Sequence, residues 1–234
     1  MLVGCDLDNI ELRVLAHYAP GGELERALAE GDLHQRTAND FGIDRATAKT
    51  LNHGILYGAG ANRVGKILGL EHREAKLARD RWHELWPEIT RLKARLGRQI
   101  RRRGYIETIG GRRHYADTAN HRTLNYLIQG SAADLFKGAL IELHALGVPM
   151  ILLVHDEVVA EVPEQEAAFT ARLLEEVLAR GMGRVEHLVA HAQVAERWSD
   201  FKEPGYCPEG VTGTGLSARD AVALAGPERG NRER

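Results

Sequence analysis

The sequence predicts an α+β fold, in which an antiparallel sheet carries carboxylates at its strand ends and adjoins a subdomain built of helices. Three observations carry this expectation. Short apolar, β-branched runs stand far apart in the chain, at 1–5 and 148–162, and each opens onto acids: Asp6 and Asp8 after the first, Asp156 and Glu157 inside the second. Residues 9–146 between them are dominated by helical rather than alternating periodicity. The chain of 234 residues is 44% hydrophobic and 27% charged, enough to bury one sizeable core or two small ones.

In order, Met1 to Cys5 reads as a short buried strand ending at Asp6, followed by a helix over Asn9–Ala19 with Ile10, Val14 and His17 on one side. Short helices are expected at 22–30 and 34–41, and a longer one from Arg45 to about Tyr57, where Gly58 and Gly60 act as stop signals. Residues 72–103 read as one long helix bent near Pro87. Gly110-Gly111 predicts a two-residue hairpin turn between Tyr105–Ile109 and Arg112–Tyr115. A long helix follows over 121–146, then strands at 148–154 and 158–162 with His155-Asp156-Glu157 at the turn. A helix over 164–180 and a strand near 189–196 complete the ordered part. After about Pro204 turn formers dominate, so 204–234 is expected to be a flexible tail, with one short helix over 218–225 capped by Ser217.

The longest apolar runs, such as Met150 to Val154, fall far short of the ~20 residues that span a bilayer, and no basic-then-apolar leader opens the chain. A cytoplasmic protein with no membrane partner is therefore expected. Cys5 and Cys207 lack CxxC spacing, which argues against a disulfide framework or a structural zinc site. A net charge of −2 gives no whole-chain signature of nucleic-acid binding. Locally, Arg91, Lys93, Arg95, Arg98, Arg101, Arg102 and Arg103 crowd one segment, a pattern that fits a solvated helix face as well as a nucleic-acid surface.

Four constellations bear on chemistry. Asp6, Asp8 and Glu11 gather where the first strand hands over to a helix, and three carboxylates this close repel one another unless cations sit among them, although Asp and Asn also cap helices. Asp156 lies in the second hairpin; paired with Asp6 at adjacent strand ends, it forms a set able to hold two Mg²⁺ roughly 3.5–4 Å apart. Arg45, Lys49 and His53 recur every four residues with no acid between them, on one helix face and about 6 Å apart along the axis, a spacing that lays positive charge along a triphosphate. His121, Asn125 and Gln129 share another helix face, where side-chain amides reach the acceptors common to all base pairs in the minor groove.

Taken together, these segments resemble the DNA polymerase I family, over about residues 1–203. Asp6 to Arg13, with its Ile-Glu-Leu-Arg, resembles the first catalytic motif of that family, and Arg45 to Gly58 its nucleotide-binding helix. Asn125 to Asp134 is similar to its Gln-Gly-Ser/Thr-Ala-Ala-Asp segment, and Val154 to Glu157 to its Val-His-Asp-Glu motif. The resemblance implies a partial right-hand polymerase: palm pieces at about 1–18 and 119–203, fingers at about 19–118. It implies that Asp6 and Asp156, with Glu157 beside them, bind two Mg²⁺ while a primer 3′-hydroxyl attacks the α-phosphate of a dNTP. Arg45 and Lys49 would hold the β- and γ-phosphates, and Lys49 would protonate the leaving pyrophosphate. His34, in an Asp-Leu-His segment, would help hold the triphosphate. Glu11 would crowd a ribose 2′-hydroxyl, and Tyr57 would pack near the templating base. Arg13, Asn125, Gln129 and His155 would support the primer terminus, and primer-template DNA and dNTPs would be the partners.

The sequence departs from the family pattern at named places. His53 stands where an aromatic Phe or Tyr usually meets the sugar, His121 where Arg is frequent, and Leu7 and Asp8 replace an aromatic and a small residue. Only five residues precede Asp6, where the family carries a helical thumb and further palm strands, so the expectation is a chain that works with a separately encoded upstream half, or else a gene-model fragment, a non-catalytic DNA-binding fragment or an inactive remnant of such a polymerase. A single-subunit RNA polymerase shares much of this pattern without the bulky gate at Glu11. Gly60 to Lys66 mimics a P-loop, but Ile67 replaces its Ser/Thr and the preceding segment reads as helix rather than strand. Gly58-Ala-Gly60 fails as a dinucleotide fingerprint, because Arg63 occupies the place of the third glycine.

Overall fold

The structure is a computed structural model and describes residues 1–30, 32–116, 121–185 and 188–202. The expected flexible tail and its short helix lie outside the described residues. In chain order the first elements are β1 (Leu2–Leu7), α1 (Ile10–Tyr18), α2 (Glu23–Ala29), α3 (Leu33–Phe41), α4 (Arg45–Leu56), α5 (Ala61–Leu68), α6 (His72–Leu85) and α7 (Pro87–Arg103). There follow β2 (Tyr105–Glu107), β3 (Arg113–Tyr115), α8 (His121–Ala145), β4 (Met150–Val154), β5 (Glu157–Glu161), α9 (Glu164–Ala179) and β6 (Ala190–Ala195). The chain divides into two compact units, one made of Met1–Ile10 with the chain from Leu135 onward, the other of Glu11–Asp134.

The first unit is built on a four-stranded antiparallel sheet of order β4-β5-β1-β6. Alternation along β1 buries Val3, Cys5 and Leu7 while Asp6 is exposed. α9 packs on β1 and β6, burying Ala167, Leu173, Leu174, Val177 and Leu178. β1 runs one residue past the expected end at Asp6, because β6 continues the pairing to Leu7 opposite Ala190. Glu157, expected in the turn, instead opens β5 opposite Val154, so the turn is His155-Asp156 alone, with His155 at φ 57°. β4 starts at Met150 rather than at Val148, following Pro149, which has no N–H for the ladder, and its register shifts between Met150 and Leu152.

The second unit is helical. The single bent helix expected over 72–103 is two helices meeting at Trp86 (φ −123°, ψ 64°), since Pro87 disfavours a helical residue before it and starts the next helix cleanly. α5 had no counterpart among the expected elements; Gly60 is its N-cap and Gly69, at φ 68°, its left-handed stop. The P-loop lookalike is thus a helix reached from another helix, as its sequence context indicated. The β2–β3 hairpin is not a two-residue turn. Gly111 N–H donates to the Thr108 carbonyl and Thr108 N–H to the Arg112 carbonyl, both at 2.9 Å, with Gly111 at φ 85° closing a three-residue loop.

Candidate active site

Within the sheet unit, β1 and β5 bring acids distant in the sequence together. Asp6 pairs in register with Glu157 on one side and with His191 on the other, and Asp156 occupies the turn preceding Glu157. His155 is exposed in that turn, while Asp156 and Glu157 are half-exposed. The Asp6 carboxyl is pushed up to about 6, first by burial of its surroundings and then by the charges of Asp156, Glu157 and Asp8. Behind it Cys5 is fully buried, and burial, followed by Glu175, Asp6 and Glu157, holds its thiol protonated. Among the described residues no three His, Cys, Asp or Glu side chains close into a ready-made metal cage. An edge of mutually repelling carboxylates fits Mg²⁺ nonetheless, because that ion usually takes only one or two protein carboxylates and completes its shell with water and substrate phosphate.

Within the helical unit, α4 is capped by Asp44, which accepts from Thr47 N–H at 2.9 Å and from the Thr47 hydroxyl at 2.6 Å. It buries Ala48, Leu51, Asn52, Ile55 and Leu56, leaving Arg45 and Lys49 exposed and His53 half-exposed. The absence of an acid among these cations holds only within the helix, because Asp32, the N-cap of α3, pairs with Arg45. His53 and Tyr57 stack one turn apart, ring centroids 6.2 Å, and His53 approaches His34 at 5.5 Å. The hydroxyl of Tyr57 is buried without a hydrogen-bond partner among the described residues.

His34 is held by a network that sequence reading did not identify. Trp82 Nε1–H donates to Asn52 Oδ1 at 2.7 Å, and an indole nitrogen can only donate, so the Asn52 amide has one orientation. The Thr37 hydroxyl, also against the Leu33 carbonyl, adds a contact to the same oxygen at 3.0 Å. Asn52 Nδ2 is therefore the donor to His34 Nδ1 at 3.1 Å, which leaves the imidazole proton on Nε2. His34, Thr37, Asn52 and Trp82 are all buried. Nε2 of His34 is buried and has no partner among the described residues, so the network presents an N–H donor without an acceptor there, beside His53. Burial first, then His53, pushes the His34 pKa down to about 4, with Arg45 and Lys49 acting in the same direction, so the ring is neutral at pH 7.

Glu11 and Arg13 lie in the first turns of α1, both half-exposed and both engaged in interactions. On α8, Asn125 is half-buried with Oδ1 unpartnered among the described residues, and Gln129, one turn on, is exposed; the side chain of His121 lies outside the described residues. Two neighbours in the same segment position this helix. Ser131 Oγ meets the Tyr18 hydroxyl at 2.9 Å and accepts from Ile109 N–H at 3.1 Å, while Asp134 accepts from Thr108 at 2.5 Å and from Arg112 at 2.7 Å. The small residues at 130–133 were the available signal for such a close approach: a Cβ on Gly130 would stand 2.8 Å from Thr108 Cγ2.

An antiparallel sheet with acids on its inner strands and a helical unit with a cationic helix are the two parts of the described chain. The family model for DNA polymerase family A matches residues 1–200, and the chain belongs to that family. It is 35% identical over 228 residues to the thermostable DNA polymerase I of Thermus filiformis, covering 87% of this chain and 27% of that protein. It is 37% identical to DNA polymerase I of Deinococcus radiodurans over 76% of this chain and 22% of that protein. Among solved structures it is similar to the POL domain of Pol1 from M. smegmatis in complex with DNA primer-template and dNTP, with TM-score 0.72 and 27% identity over 82% of this chain and 38% of that one. The chain thus spans about a quarter of the length of these curated relatives.

Proposed function

We propose that this chain supplies the nucleotide-binding and catalytic residues of a DNA polymerase that adds dNTPs to a primer 3′-hydroxyl. The observation that carries the reading is the pairing of Asp6 with Glu157 across β1 and β5, which sets Asp6 beside the Asp156 turn in a chain belonging to DNA polymerase family A. Asp6 and Asp156, with Glu157 adjacent, would hold two Mg²⁺, which when bound supply charge neutralisation at the attacking and leaving oxygens. The raised Asp6 pKa supports this, since bound cations offset both the burial that is its first cause and the repulsion from Asp156, Glu157 and Asp8 that adds to it. Arg45 and Lys49 bind the β- and γ-phosphates, and Lys49 donates a proton to the departing pyrophosphate. The His34 Nε2–H offers a neutral donor to a phosphate oxygen. Glu11 excludes a 2′-hydroxyl, Tyr57 packs near the templating base, and Arg13, His121, Asn125, Gln129 and His155 support the primer–template. Catalysis of this kind rests on positioning and charge stabilisation.

The reading places the protein in the cytoplasm, where DNA and dNTPs meet; among the described residues no helix is long and apolar enough to cross a membrane. It also includes an upstream polymerase segment as a partner of the sheet. The edge strand β4 supports this, because Ile151, Leu152 and Leu153 are exposed there. Primer extension by the purified chain with Mg²⁺, with and without an upstream polymerase segment, tests both points. Extension that Asp156→Ala abolishes is expected. Retained DNA binding with no extension in either mixture would instead establish a non-catalytic DNA-binding protein.

A further inference from the structure

α7 is amphipathic in an uncommon way. Ile89, Leu92, Leu96 and Ile100 are buried on one side. Arg91, Arg95, Arg98 and Arg102 are exposed and recur at steps of four, three and four residues, which aligns them in one stripe on the other side. The axial distance from Arg91 to Arg102 is about 16 Å at the helical rise per residue. Arg95 donates to the Tyr18 carbonyl. Arg91, Arg98 and Arg102 have no hydrogen-bond or ion-pair partner among the described residues. Elsewhere on the molecule Arg26, Arg45, Arg81, Arg112 and Arg180 each sit against a carboxylate. Cations placed at a helix C-terminus favour the helix dipole, which accounts for Arg101 to Arg103 but not for Arg91 and Arg98, mid-helix.

A second observation lies one residue beyond the helix. Gly104 leads directly into β2, which packs against α7, and the β2–β3 hairpin carries an aromatic pair. Tyr105 and Tyr115 face each other across the register with ring centroids 5.5 Å apart. Arg113, itself paired with Glu107 at 3.3 Å, lies over the Tyr105 ring at 4.7 Å. Tyr115 is 68% exposed, a large aromatic surface left in water. Unpaired arginines along a helix followed by an exposed aromatic platform are the two components by which single strands are held, the cations on phosphates and the rings on bases.

We propose that the Arg91–Arg98–Arg102 stripe and the Tyr105–Tyr115 hairpin form a binding surface for single-stranded DNA, the unpaired template strand. The proposal rests on the polymerase reading above and adds a surface outside the nucleotide and carboxylate clusters. Arginine suits this use because its guanidinium forks onto phosphate oxygens.

The test is fluorescence anisotropy of the full chain with a labelled oligo-thymidine strand and with a duplex of equal length, titrated from about 50 to about 200 mM salt. Three proteins are compared: wild type, the triple variant Arg91→Gln/Arg98→Gln/Arg102→Gln, and Tyr115→Ala. All four positions are exposed, and circular dichroism checks that each variant is folded. For single strands the slope of log K against log salt is expected to fall by about 2 in the triple variant, at ~0.7 per phosphate contact. Tyr115→Ala is expected to weaken single-strand binding about fivefold or more with the slope unchanged. A triple variant with the wild-type slope, or a loss confined to the duplex, overturns the proposal while leaving the polymerase reading intact. A wild-type chain that binds neither DNA overturns both.

Discussion

His34 shows how much of what a side chain presents is decided by the residues behind it. Its proton sits on Nε2 because Trp82, a pure donor, orients Asn52, and Asn52 in turn donates to Nδ1. An Asn52→Asp carboxylate cannot donate, so it should draw the proton to Nδ1, a change that nitrogen-15 NMR of the imidazole reads directly. Affinity for a dNTP should fall about tenfold or more, the worth of a hydrogen bond to a charged group. The charge-neutral Trp82→Phe should shift both readouts the same way by less; an unmoved tautomer in both variants would sink the account. The acid behaviour has a definite sign. With a folded pKa of about 4, below its unfolded value of 6.5, His34 lowers stability as pH drops from about 6.5 toward 4, because the unfolded chain binds the proton more tightly. His53 is the other departure at this scale: it is half-exposed between His34 and Tyr57, and under the proposed function its imidazole meets the sugar. His53→Phe should alter discrimination against dideoxynucleotides, read as the ratio of kcat/KM for the two substrates.

At the scale of elements, β1 carries the strongest tension. Its pairing with both β5 and β6 sets Asp6 beside Glu157 and near Asp156. Because the folded pKa of about 6 lies above the ordinary 3.8, charging Asp6 removes stability as pH rises from about 4 through 6, and the loss persists above that. Asp6→Asn should therefore raise the Tm of the metal-free chain at pH 7, by no more than ~1 kcal/mol in stability given solvent screening at an exposed position. The gain should vanish below about pH 4, and Mg²⁺ should raise the Tm of wild type but not of the variant. A variant no more stable than wild type at pH 7 would show that the repulsion is already screened. Element identities were largely legible beforehand, since β-branching and turn residues marked β4, β5 and the β2–β3 hairpin. Their edges were not, because pairing partners set them: β6 carries β1 on to Leu7, and β1 draws Glu157 into β5.

Over the whole molecule, the least expected feature is the apolar edge of the sheet. Ile151 and Leu153 on β4 are 55% and 51% exposed, and Ile141 on α8 is 72% exposed. Edge strands left apolar pair with other chains. Sedimentation should show wild type self-associating with rising concentration and an Ile151→Lys/Leu153→Lys variant remaining monomeric; equal behaviour would mean that β4 is protected in solution. By itself the sequence determined the α+β class, the order of the motifs and the residue types at each candidate site, because strand and helix periodicity and short-range spacing are local properties of a chain. Only the tertiary structure decided which acid answers Arg45, which donor orients Asn52, and that Asp6 lies in register with both Glu157 and His191. Those are contacts between residues far apart in the chain, and they are chosen by packing and by the need of buried polar groups for partners, neither of which leaves a periodic signal in the sequence.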